Sequence, residues 1–122
     1  MTVERRRPLA ANIGVFGVGH DKYWSQFPGL LPELERKLRI FAARVESTAV
    51  NVTTFGIVDN AQSAARLLPR LLAADLDLLF VDMLTYATSA SFAAVARGLA
   101  VPIVLVALQP SRAMDYATAT TL

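Results

Sequence analysis

Two short stretches hold most of the side chains able to do chemistry. "GHDKYWSQFPG", residues 19–29, carries the only histidine, His20, next to Asp21, and the only tryptophan, Trp24, between Tyr23 and Phe27. "MLTYATS", residues 83–89, adds the hydroxyls of Thr85, Tyr86, Thr88 and Ser89. An imidazole that titrates near neutrality can act as a general base or bind a substrate hydroxyl. It can equally be a loop histidine bonded to backbone. Tyr23, Trp24 and Phe27 could form a stacking wall for a sugar ring, or simply pack into a core. Gln109 both donates and accepts, which suits a polyol. Asp21 and Asp82 could attract a cation, although Asp82 could also end its strand by bonding loop amides. No histidine stands beside a serine to activate it, which argues against a self-contained hydrolase. No second histidine or glutamate cluster falls in these loops, so no metal site is expected in this chain. With no cysteine, thiolate catalysis and disulfides are excluded.

The glycines at 14, 17 and 19 raise a phosphate reading, which their spacing does not support. G-x-x-G-x-G reverses the dinucleotide order, and the helical pattern resumes only about ten residues later, too far away to cradle a pyrophosphate at a helix N-terminus. Gly14 and Gly17 are instead expected to permit close packing of helix on sheet.

Four apolar runs must position these groups: "NIGVFGV", "AVNVTTF", "DLLFVDM" and "PIVLVAL". Short, nearly continuous and rich in β-branched residues, they read as strands buried on both faces of a parallel sheet. Between them lie helical patterns. In "LLPELERKLRIFAARVES", Leu34, Leu38, Phe41 and Val45 share a stripe, Pro32 suits the first turn, and Glu33–Lys37 and Glu35–Arg39 are spaced as ion pairs. Asp59 or Asn60 should cap "AQSAARLLPRLLAA", which Pro69 should kink or split. Ser89 should cap "SASFAAVARGLA", with Gly98 as its stop. The order βαβαβαβ with right-handed crossovers predicts a three-layer, doubly wound α/β fold, flavodoxin-like, with strand order 2-1-3-4. In such a sheet ligands bind at the carboxyl ends of the strands, where the strand order reverses, so the two polar stretches should face each other there.

A length of 122 residues suits one domain, expected over 12–122 behind a flexible polar leader, 1–11. Twelve Lys and Arg against ten Asp and Glu give a net charge of +2, with no basic stripe interleaved with aromatics, so no nucleic-acid partner is expected. No apolar run reaches the roughly 18 residues of a membrane span and no secretory core is visible, which makes a soluble, cytoplasmic domain the default. The fourth strand would be an exposed apolar edge, so either a partner chain covers it or this is the first domain of a longer polypeptide; the second is favoured. A response-regulator-like domain is excluded, because no paired acids end the first strand and no Lys follows the fourth in "VALQPS".

"YWSQFPGLLPEL", "VDNAQSAARLL", "DLDLLFVDMLTYATSAS" and "VPIVLVALQPSRAMDYA" together resemble the N-terminal domain of the L-fucose/L-arabinose isomerase family, over roughly residues 12–118. The resemblance implies an aldose–ketose isomerase, an intramolecular oxidoreductase, whose divalent metal, usually manganese, is held by later domains; this chain alone would not be catalytic. It implies a substrate pocket lined in part by His20, Tyr23, Trp24, Tyr86 and Gln109, a homo-oligomer, and the downstream domains as partners. Gly19 stands where a substrate-contacting glutamine is common and Ala107 where a histidine occurs, so the resemblance is to the family and not to its arabinose-specific members. The alternative is one lobe of a sugar-binding or regulatory protein of the periplasmic-binding-protein type.

Overall fold

Alternation of Val, Ile, Phe and Gly along residues 11–18 puts an apolar side chain, or none, on each face of the first strand. Burial from Ile13 to Val18 shows that both faces are covered. The computed structural model describes residues 10–47 and 49–108. In chain order it contains β1 (Ala11–Val18), α1 (Lys22–Gln26), α2 (Leu30–Val45), β2 (Val50–Val58), α3 (Ala61–Ala73), β3 (Leu78–Met83), α4 (Ala90–Gly98) and β4 (Ile103–Val106). All four strands are parallel, in the order β2-β1-β3-β4. The fold is the expected doubly wound α/β sheet of flavodoxin-like order. β1 starts at Ala11, whose amide donates to the Ala49 carbonyl at 3.0 Å, one residue before the expected domain start. Residues 1–9 and 109–122, and with them Gln109 and most of the leader, lie outside the described residues.

α2 covers one face, burying Leu34, Leu38 and Ala42 against Val15, while Phe41 meets Phe80 edge to face at 5.6 Å. α3 and α4 cover the other, where Ala64, Leu67, Leu71 and Val95 pack on Phe16, Val18, Leu79 and Val81. Among the described residues no helix is long and apolar enough to cross a membrane.

Several local expectations are corrected. β2 runs on to Val58 instead of ending at Phe55, so Gly56 is not in a loop. Val15 pairs with Thr54 but Gly17 with Ile57, one extra residue on β2, and Gly56 takes φ +83° in this bulge. The loop after β1 contains a short helix, α1. α3 runs unbroken through Pro69; the Ala65 carbonyl that loses its N–H partner lies on the exposed side, where water can satisfy it. Its cap is Asn60, whose Oδ1 accepts the Ser63 amide at 2.8 Å. Ser89 precedes α4 but makes no side-chain cap; its carbonyl instead accepts the amides of Phe92 and Ala93. Gly98 is the last residue of α4, and its role is close approach, since a Cβ there would run into Leu68 of α3.

The β1 glycines also make room for leucines and not for helices. A Cβ on Gly14 would lie 2.6 Å from Leu76 Cδ1, and one on Gly17 would run into Leu84. On α2, Glu33 pairs with Arg36 through two bonds of 2.7 and 3.0 Å, and neither expected i,i+4 pair forms. A guanidinium offers both carboxylate oxygens a matched fork, which a lysine cannot do.

Candidate functional site at the carboxyl ends of β1 and β3

Because β1 lies between β2 and β3, the loops leaving β1 and β3 emerge side by side on the carboxyl edge of the sheet. The β3 exit is held against β1, with the amides of Leu84 and Thr85 donating to the Val18 carbonyl at 3.0 and 3.4 Å. That contact brings Tyr86 to His20. The two rings lie 6.5 Å apart at 66°, and Tyr23 meets His20 at 5.2 Å and 69°. Phe27 extends the row, 5.9 Å from Tyr23. Tyr86 is 72% exposed, which leaves most of its ring free to meet a ligand.

Trp24 is placed differently. Its indole N–H donates to Asp59 Oδ2 at 2.8 Å, and its ring lies over Gly19, where a Cβ would come within 2.8 Å. The tryptophan therefore straps the β1 exit to the start of α3, and its one polar group already has an acceptor. Asp59 is held in turn by Ser63, whose Oγ donates to its Oδ1 at 3.1 Å. Asn60 Nδ2 donates to Asp21 Oδ2 at 3.3 Å, and the other Asp21 oxygen faces His20 Nδ1 at 3.5 Å. One polar chain thus links His20, Asp21 and Asn60 with Ser63, Asp59 and Trp24, so the imidazole sits on a braced support.

Of the five residues expected to line a sugar pocket, His20, Tyr23 and Tyr86 form one cluster. Trp24 is adjacent but bound to Asp59, and Gln109 lies outside the described residues. Thr85 turns its hydroxyl onto the Tyr86 carbonyl at 2.8 Å. Sequence reasoning missed Asp59 and Ser63 as supports. The visible clue was "DNAQS", in which a serine three residues after Asn60 can close a capping box.

Of the two readings open for Asp82, attracting a cation or ending its strand on loop amides, the second is not found. Asp82 makes no hydrogen bond to the loop amides and is 2% exposed. Leu79 and Val81 belong to the α3–α4 core, so alternation along β3 turns Phe80 and Asp82 toward α2. Burial raises its carboxyl above the ordinary aspartate value of 3.8. No group of three His, Cys, Asp or Glu close enough to hold a metal ion occurs among the described residues.

Fold and site define a class: a flavodoxin-like α/β domain with an aromatic and histidine cluster at its switch point. Comparison with protein-family models, with curated proteins and with solved structures found no match.

Proposed function

We propose that this chain is the N-terminal domain of a sugar isomerase-like protein related to the L-fucose/L-arabinose isomerases, lining the substrate pocket and leaving metal chemistry to other domains. The observation that supports it is the cluster of His20, Tyr23 and Tyr86 where the loops of β1 and β3 meet. Aromatic rings take the apolar C–H face of a sugar, while an imidazole and phenol hydroxyls bond its oxygens. The sequence resemblance supplies the reaction class, interconversion of a pentose or 6-deoxyhexose with its ketose.

The test has two parts. Amide shifts of the chain titrated with L-fucose and L-arabinose should move at His20, Tyr23 and Tyr86, weakly, and Tyr86→Ala should abolish them. A protein that holds this domain together with a metal-binding domain should convert aldose to ketose with manganese and lose kcat/KM in His20→Ala. Binding without interconversion in that protein would favour the sugar-binding-lobe reading. Micromolar manganese affinity in the chain alone would count against the proposal.

A further inference from the structure

On the α2 face lies a second concavity that shares no lining residue with the aromatic cluster. It is a cleft of about 350 Å³ between α2 and the ends of β3 and β4, walled by Leu34, Phe41, Leu84 and Leu108. Asp82 forms part of its floor, and Lys37 and Arg44 reach it from α2.

Three charged groups line it, none of them in an ion pair among the described residues. Asp82 is 2% exposed as a residue and accepts no hydrogen bond from a described residue, yet neither of its oxygens is both sealed off and unpartnered, so the carboxylate can be reached from the cleft it lines. Lys37 and Arg44 pair with no carboxylate among the described residues, although Glu33 is close enough in sequence to compete for Lys37 and binds Arg36 instead. Nor do the two cations neutralise Asp82. The cleft therefore presents a carboxylate at its floor, cations along α2 and hydrocarbon between them.

We infer that this cleft binds a small zwitterion with an apolar body, the chemistry of an aliphatic or aromatic α-amino acid. The ammonium bonds Asp82, the carboxylate meets Lys37 on its flexible arm with Arg44 adding to the positive field, and the side chain packs on Leu34 and Phe41. A purely cationic ligand would be repelled by the two α2 cations, and a pure anion would leave Asp82 unsatisfied. The volume lies at the small end of ligand pockets, roughly 300–1,000 Å³, which is room enough for an amino acid. This inference does not rest on the sugar reading.

Titration of the full chain with L-phenylalanine, 3-phenylpropionate and phenethylamine, followed by calorimetry and amide shifts, tests it. L-phenylalanine should bind at least about tenfold more tightly than either singly charged analogue and shift Phe41, Met83 and Leu84. Asp82→Asn should lower its affinity to that of 3-phenylpropionate, and Lys37→Gln to that of phenethylamine. His20→Ala should change nothing, which separates this site from the aromatic cluster. The inference is overturned if no cleft amide responds at millimolar ligand, if phenethylamine binds as well as L-phenylalanine, or if Asp82→Asn binds like the wild type. It is also overturned if contacts of residues 109–122 with the Phe41 ring show that the chain itself fills the cleft.

Discussion

Trp24 shows how one side chain can look like a ligand platform and act as a fastener. Its bond to Asp59 spans 35 residues and joins the β1 exit to the α3 cap. Trp24→Phe keeps an aromatic ring over Gly19 but removes the donor, so it should cost about 1–2 kcal/mol in urea unfolding. Asp59→Ala should cost a similar amount, and the double variant less than the sum, because both remove one bond. Additive losses would show that the two side chains act separately. Asp82 allows a sharper test. Its folded-state pKa is raised, so below 3.8 the carboxyl is protonated in both states and carries no penalty. As pH rises from there, the unfolded chain releases its proton first, and stability falls until the folded carboxyl has ionised too. Asp82→Asn should therefore match the wild type near pH 3 and melt higher at pH 7, by about 3–6 °C for roughly 1 kcal/mol in a chain of this length. A constant difference across that range would mean that ionisation of Asp82 is not what burial penalises.

At the scale of elements, the strands, α2, α3 and α4 were legible because each declares itself by period: continuous β-branched runs for a parallel sheet, a 3.6-residue stripe for the helices. Strand order followed from crossover handedness. Two things were not legible, for a shared reason: they depend on what lies across from a residue. Gly98 was read as a stop because glycine often ends helices, yet it serves the contact with Leu68. Pro69 was expected to interrupt α3, but the carbonyl it leaves unpaired belongs to the exposed Ala65. Pro69→Ala should accordingly restore one hydrogen bond and raise stability by about 1–3 kcal/mol in equilibrium denaturation. Gly56 is the contrasting case. Nothing lies within 4 Å of the position its Cβ would occupy, so only its φ of +83° resists a side chain. Gly56→Ala should cost about 1–2 kcal/mol, and Gly56→Asn less, since asparagine tolerates a left-handed backbone. Equal losses would mean that the bulge itself, and not the backbone angle, sets the requirement.

At the scale of the whole molecule, the half-site was legible only as far as the switch-point rule reaches. That rule brings the loops of β1 and β3 together, and His20, Tyr23 and Tyr86 do meet there. It does not say which aromatic ring faces outward, because that depends on partners such as Asp59, distant in sequence. The sheet's far edge follows from the same topology. Among the described residues β4 pairs only with β3, carries no charge over Ile103–Val106, and leaves Val104 and Leu105 40% and 59% exposed, with Leu108 beyond it at 62%. An edge strand with no lysine or bulge, and no cover among the described residues, invites pairing with another strand. The expected outcome is concentration-dependent self-association of the chain in sedimentation velocity. Leu105→Lys should shift it to monomer while changing unfolding stability by no more than about 0.5 kcal/mol, since the side chain is largely solvent-facing already. A wild-type chain that stays monomeric at every concentration would show the edge to be covered from within. A lysine variant that still associates would move the contact away from β4.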